Sequence, residues 1–387
     1  MKRTILPKNN AAFLRVKLPL FFLFSLLAFA CQRESLAPWD DDWPTGVDLD
    51  RFEGNQMLIV SVPKYEAALA AFIDFKRSLG LQVELDVTSA VAGVDAIKDL
   101  LQERSRSTGL TYILLVGDIE DVPSPFYEGA PADPSYALLE GDDLRADALI
   151  SRISVKNSAE LRNMLRKFMV YERGEFAHSA WIARAVVVGL LQWDGFAHTS
   201  GIVAEMRNHN DYFQNVLQIM ENDGDAHETL MQALSQQGAN MIVYNSHGSE
   251  DGFHTIAFIN SDIEGLADFA GSFPFIHGAG CSTGSFHWSE GDCFAEKILK
   301  TGSLENPSGP VAMLAFSRSA NPVPAMRAQR KAFQELYFLD EVDTFGELCF
   351  LSNMYSMAFE NAYEAEKFYK TWHLFGDCSM KIRKRWP

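Results

Sequence analysis

Short apolar runs and amphipathic stretches alternate along this chain from about residue 55 onward. "QMLIVSV" (56–62) is apolar and β-branched, the pattern of a buried strand. "KYEAALAAFIDFKRSLG" (64–80) carries helical apolar spacing and stops at Gly80. "LQVELDVT" (81–88) alternates like a strand, "GVDAIKDLLQERSRSTG" (93–109) reads as a helix closed by Gly109, and "TYILLVGD" (111–118) as a further buried strand. This β-α-β-α-β order predicts a parallel sheet covered by helices. "DPSYALLEGDDLRADALISRIS" (133–154) reads as loop and short strand, and "SAELRNMLRKFMVYER" (158–173) as a helix with Ser158 as its N-cap.

The order then restarts. "WIARAVVVGLLQ" (181–192) predicts a strand, "GIVAEMRNHNDYFQNVLQIM" (201–220) a helix, and "HETLMQALSQQG" (227–238) a helix ended by Gly238. "NMIVYNS" (240–246) and "FPFIHGAG" (273–280) are buried strands, "CFAEKILKTG" (293–302) a helix and "GPVAMLAFS" (309–317) another strand. A long helical region is expected from Met326 to Phe359, and "WHLFGDCSMKIR" (372–383) closes the pattern. The fold class is therefore α/β: two side-by-side α/β subdomains with mainly parallel sheets, over residues 55–178 and 179–387.

Ahead of residue 55 the pattern changes. Lys2, Arg3, Lys8, Arg15 and Lys17 precede an apolar run, "LPLFFLFSLLAFA" (18–30), of signal-peptide length and short for a transmembrane span. Small residues followed by Cys31 resemble a bacterial lipobox, although Ala28 and the bulky Phe29 depart from it. Residues 1–30 are thus expected to be a lipoprotein signal peptide, with Cys31 lipidated as an anchor to the membrane. The protein is expected to be exported to a bacterial cell envelope, as an outer-membrane lipoprotein. Residues 31–54, acidic and containing Pro and Gly, read as a tether.

The formal charge is −17, and taking away the five cations ahead of residue 18 leaves −22. Such an acidic chain argues against nucleic acid as a partner. Four cysteines follow Cys31, namely Cys281, Cys293, Cys349 and Cys378, and an oxidising compartment would permit disulfides among them. Their spacing does not suggest a zinc site.

Two of the apolar runs end in reactive side chains. "MIVYNSHGSEDGF" (241–253) presents His247, and "FPFIHGAGCSTGSF" (273–286) presents Cys281. In an open parallel sheet, catalytic groups sit beyond the carboxyl ends of the strands, and the 34 residues between the two fit one α/β crossover. A cysteine nucleophile needs a base that raises its thiolate fraction and later protonates the leaving amine, and an imidazole supplies both. Gly248 and the Cys281 amide could hold the oxyanion, and no cofactor is required by this chemistry. Standing against this are the ordinary roles of His and Cys as buried structural residues. His277 and His287 are the runner-up bases.

The His-Gly-Ser and Gly-Cys blocks resemble those of the caspase-like cysteine peptidases, and among these the gingipain family most. "YNSHGSEDGF" is similar to that family's His block and "GAGCSTGSFHWSEGDCFAEKIL" to its Cys block. The likeness continues in "MLIVSVPKYEAALAAFIDFKRSLGLQVELDV", "YILLVGDIEDVP", "DPSYALLEGDD", "RISVKNSAELRNMLRKFMVYER" and "WHLFGDCSMKI", so it covers about residues 55 to 385.

The resemblance implies a caspase-like second subdomain in which Cys281 is nucleophile and His247 general base and acid. Gly248 and Cys281 would supply the oxyanion hole. It also implies a third, acidic member near "VVVGLLQWDGFAH" (186–198), where Asp194 is the carboxylate present, with Glu250 and Asp251 as local alternatives. Family members often cut after Arg or Lys, and calcium stabilises several, for which the Glu140–Asp143 loop is the place to look. There are departures: His287 stands where Asp is frequent, Cys378 where Pro is common, and "SRSANPVPAMRAQ" (317–329) lacks the Trp that covers the specificity pocket.

The expected function is a cysteine endopeptidase acting on protein or peptide substrates through an acyl-thioenzyme. A sortase-like transpeptidase on the same dyad, or a non-catalytic surface binding protein that keeps the fold, remain open at this point.

Overall fold

The structure is a computed structural model describing residues 47–383, apart from 177–178, 209–211, 267, 339–341 and 359–360. The apolar segment 18–30, Cys31 and the tether as far as residue 46 lie outside the described residues. Ordered packing begins ahead of Asn55. Residues Asp50–Phe52 form a 3-10 turn, and the buried Phe52 ring meets Phe350 edge-on at 4.8 Å.

The first half follows the expected order: β1 (Gln56–Val60), α1 (Glu66–Ser78), β2 (Gln82–Asp86), a one-turn α2 (Ser89–Ala92), α3 (Val94–Thr108) and β3 (Tyr112–Val116). α3 stops at Gly109, which takes the left-handed conformation (φ 69) that a Cβ would disfavour. A small hairpin, β4 (Phe126–Tyr127) and β5 (Ala130–Pro131), precedes β6 (Leu149–Ile153) and α4 (Ser158–Arg173). The cap of α4 is Asn157 rather than Ser158. Its side-chain oxygen accepts from the N–H groups of Ala159 and Glu160, both at 3.0 Å, which makes Ser158 the first helical residue.

In the second half, β7 (Arg184–Gly189) leads to α5 (Gly195–Asn208) and β8 (Asn215–Met220). The single helix expected over 201–220 is therefore two elements. Residues 215–220 pair in register with all of β7, burying Val216, Ile219 and Met220, and this packing overrides their helical spacing. α6 (Ala226–Gln232) runs into a π-helical turn, Ala233–Gln237, before β9 (Met241–Asn245). The connection onward is no regular helical crossover: it holds the hairpin β10 (Gly252–Phe253) and β11 (Phe258–Ile259) and a one-turn α7 (Asn260–Ile263) before β12 (Phe275–Gly278).

α8 (Phe294–Leu299) and β13 (Ala312–Phe316) follow. The long helix expected from 326 to 359 is broken into α9 (Pro322–Phe338) and α10 (Phe345–Met357). Thr344 starts α10 with a reciprocal box: the Glu347 N–H donates to Thr344 Oγ1 at 3.2 Å and the Thr344 N–H to Glu347 Oε2 at 2.8 Å. α11 (Ala362–Thr371) and β14 (Trp372–Gly376) complete the fold.

The two halves share one mainly parallel sheet of order β2-β1-β3-β6-β14-β13-β12-β9-β7-β8. β14, antiparallel to β13, is the seam, with Phe375 opposite Arg152 of β6. Buried ion pairs tie both sides of the seam. Lys76 of α1 contacts Glu172 at 2.6 Å and Asp377 at 2.7 Å, which explains the Gly-Asp pair seen in the closing segment. Arg152 grips Asp133 through two hydrogen bonds, at 2.6 and 2.8 Å, and lies 4.7 Å over the Phe286 ring. That ring belongs to the segment following Cys281, so the seam also braces the loop that carries the thiol.

Candidate active site

β9 and β12 are adjacent and parallel, in register from Phe275 opposite Met241 to Gly278 opposite Tyr244. The chain leaves both strands at the same edge of the sheet; Cys281, half-buried, stands three residues past the end of β12, and His247, exposed, two residues past the end of β9. Their turns touch. A Cβ built on Gly248 would lie 2.8 Å from Thr283 Cγ2, 2.9 Å from the Cys281 carbonyl oxygen and 3.1 Å from the Gly280 carbonyl carbon. Glycine at 248 is therefore a requirement of close approach between the two turns.

Each turn is held from behind. The His247 N–H donates to Thr255 Oγ1 at 3.1 Å, and its carbonyl accepts from the His254 N–H at 3.0 Å and from the Tyr244 hydroxyl. Ser249 Oγ and Asp251 both bond His254 Nε2, at 2.7 and 2.8 Å, closing the loop beyond Gly248. These contacts, His254 first, hold the Asp251 carboxyl below its ordinary range and use it structurally. On the other turn, Thr283 Oγ1 donates to Gly280 O at 3.0 Å and Ser285 Oγ to Ser317 O at 2.7 Å. Ser282 is left-handed (φ 56) immediately after the thiol, a strained conformation for a residue with a side chain. The Cys281 thiol donates to Ala320 O at 3.6 Å.

Two backbone donors stand unused beside the thiol. The Ser249 N–H donates to Gly252 O and the Ser282 N–H to Arg318 O, both at 3.1 Å. Among the described residues, the intervening N–H groups of Gly248 and Cys281 meet no protein acceptor. Free amides on touching turns, one of them the nucleophile's own, are what an oxyanion needs.

The other expected residues have different surroundings. His277 lies within β12, fully buried, bonded to Ser352 Oγ at 2.7 Å and Gln329 at 3.0 Å, and burial pushes it down to about 3. His287 is exposed and meets Phe126 edge-on at 6.0 Å. Asp194 is exposed in the turn between β7 and α5, and its carboxylate makes no hydrogen bond or ion pair among the described residues. Its neighbour on that turn, Trp193, has its ring 5.7 Å from the His247 ring at 69°. Sequence reasoning passed over Trp193; an indole in a turn after an apolar strand was the available signal.

Cys293, Cys349 and Cys378 are buried free thiols, as Cys281 is a free thiol, so the described cysteines form no disulfide. Burial pushes the Cys293 and Cys349 thiols well up, and that of Cys378 up to about 12. Among the described residues no three His, Cys, Asp or Glu side chains form a group that could hold a metal ion. In the loop expected to hold one, Asp143 accepts the Arg145 N–H, while Asp147 takes those of Leu139 and Glu140. No helix among the described residues is long and apolar enough to cross a membrane.

A thiol and an imidazole at neighbouring parallel strand ends, on a helix-covered sheet, put this chain among the caspase-like α/β proteins. The chain belongs to Peptidase family C25, whose sequence profile matches residues 50–383. It is 25% identical over 350 residues to gingipain R2 of Porphyromonas gingivalis, covering 87% of this chain and 47% of that protein. The identity to gingipain R1 of the same organism is also 25%, covering 87% of this chain and 35% of the relative. This chain thus spans less than half the length of these curated relatives. The crystal structure of the Arg-specific cysteine proteinase gingipain R superposes with a TM-score of 0.80 at 24% identity, covering 89% of this chain and 81% of that one.

Proposed function

We propose that this protein is a gingipain-like cysteine endopeptidase that works through Cys281 and His247. The observation that carries the reading is the pair of unoccupied amide donors, Gly248 and Cys281, on two touching turns that also bear the imidazole and the thiol. His247 takes the Cys281 proton, and the thiolate attacks the scissile carbonyl carbon, forming the C–S bond. The negative charge moves to the carbonyl oxygen, where the two amides receive it. As the tetrahedral intermediate collapses, the C–N bond breaks and His247 gives its proton to the departing amine. A water activated by the same imidazole then splits the thioester, releasing the acid and restoring the thiol.

Asp194, exposed and unbonded, is assigned no step. Cleavage after a basic residue is the specificity we put to test, because the Arg-specific gingipain R shares this fold. A fluorogenic peptide panel varied at the residue before the cleaved bond should be cut by the wild type. Cys281→Ala and His247→Ala should each abolish cleavage with unchanged circular dichroism, and activity surviving both changes would refute the assignment. Product masses should be unaltered by an added amine; an amine-capped product would mark a transpeptidase instead.

We further propose export and lipid anchoring, from the apolar segment 18–30 and Cys31. Palmitate labelling should appear in the wild type and vanish in Cys31→Ser.

A further inference from the structure

The His247 backbone is fixed on both sides, but its ring is not bonded in the same way. Among the described residues the imidazole makes no hydrogen bond or ion pair, in contrast to His277, which Ser352 and Gln329 hold. The contact it has is with Trp193, in the T-shaped geometry that aromatic rings prefer, at 5.7 Å and 69°.

The turn carrying Trp193 is built to keep it there. Trp193 and Asp194 are both left-handed, φ 49 and 61, conformations that persist only where the surroundings enforce them. The Leu191 N–H is tied to Glu221 Oε1 at 2.7 Å, and the Gly195 N–H to Gln192 O at 2.8 Å. A Cβ on Gly195 would lie 2.5 Å from Leu190 O, so the chain turns tightly there. Within this rigid turn an indole is left 48% exposed, which the hydrophobic effect alone would not select. The carboxylate next to it makes no hydrogen bond among the described residues, and its charge acts on the buried His198.

We propose that Trp193 is a positioning residue for His247. Its ring holds the imidazole, by edge-to-face packing, in the rotamer that serves Cys281, where many thiol–imidazole sites use a carboxylate or amide. The inference rests on His247 acting as the general base of Cys281. An edge-to-face ring pair is worth roughly two- to tenfold in the population of one rotamer. Since an imidazole in the wrong rotamer cannot move the proton, that factor falls on kcat and leaves KM in place.

The test compares Trp193→Phe, Trp193→Leu and Trp193→Ala in the cleavage assay. Leu and Ala variants should lose roughly three- to tenfold in kcat with KM within about twofold, and Phe should restore kcat to within about twofold of wild type. A rise in KM with kcat held would overturn the proposal, since it would make the indole a substrate contact. Leu performing as well as Phe would overturn it too. A second readout needs no turnover: in a Cys281→Ala background the His247 ring protons should show a ring-current displacement that Phe keeps and Leu removes. Absence of that displacement in the parent would refute the contact. Failure of the peptidase reading is separate, because it would show as activity persisting in Cys281→Ala whatever the Trp193 variants do.

Discussion

Replacing Gly248 by Ala adds one methyl group at the place where the two active turns meet. The new Cβ would sit 2.8 Å from Thr283 Cγ2 and 2.9 Å from the Cys281 carbonyl oxygen. Carbon contacts are comfortable at about 3.5 Å or more, so the turns must separate by about 0.7 Å. Neither neighbour can yield alone. One is backbone, and the Thr283 hydroxyl is pinned to Gly280 O at 3.0 Å. Misplacing reacting groups by about 1 Å costs on the order of 100-fold, so kcat/KM should fall roughly 30- to 100-fold. The Gly248 N–H survives in this variant, so the loss reports position rather than a missing donor.

Overpacking should also cost about 1–3 kcal/mol, read as a lower urea midpoint. Combining it with Thr283→Ser removes the Cγ2 clash while the Cys281 oxygen clash stays, so the double variant should recover part of the rate only. Gly224→Ala, where an added Cβ meets open space, should be silent in both measurements. A Gly248→Ala enzyme within threefold of wild type would refute the argument that these turns must touch for catalysis.

Other consequences follow from the buried charges and thiols. Lys76→Met leaves Glu172 and Asp377 buried without their cation and should destabilise by about 3–5 kcal/mol in urea titration. Lys167, buried with its ammonium donating to Leu299 O at 2.7 Å and Thr301 O at 3.2 Å, is lowered by burial to about 7. The unfolded chain therefore holds this proton up to the ordinary lysine range while the folded chain releases it. Wild-type stability should rise relative to Lys167→Met between about pH 7 and pH 10, by at most about 1.4 kcal/mol per pH unit. A flat difference across that range would contradict the assigned burial. Finally, iodoacetamide on the native protein should label Cys281 and spare Cys293, Cys349 and Cys378, as peptide mass mapping would show.

Much of this architecture was legible because its signals are local. "QMLIVSV", "TYILLVGD" and "NMIVYNS" are uninterrupted apolar runs, and the chain buries them as central strands. Glycines at 109 and 238 end their helical segments at the expected places. The misreadings came where tertiary pairing decides. "FQNVLQIM" has helical spacing, yet alignment beside β7 makes residues 215–220 an edge strand. The stretch from 326 to 359 is apolar enough for one helix, but the Thr344–Glu347 box restarts it.

Within the site, glycines beside His247 and Cys281 announced close approach, and the two turns do touch. Trp193 could not be found this way, because its role depends on a left-handed turn that brings a residue 54 positions earlier in the chain against His247. The buried partners Lys76 with Asp377 and Arg152 with Asp133 are equally invisible locally, joining segments distant in sequence.

The central claim is that Cys281, activated by His247, attacks a carbonyl carbon. It is tested most directly by trapping the acyl-thioenzyme. The protein is mixed with a slowly turned-over peptide ester bearing Arg at its acyl end, quenched in acid, and its intact mass measured before peptide mapping. The account predicts one acyl group, on Cys281, that hydroxylamine removes and that is absent from both Cys281→Ala and His247→Ala. An acyl group on any other residue, or one that forms equally fast without His247, would contradict it.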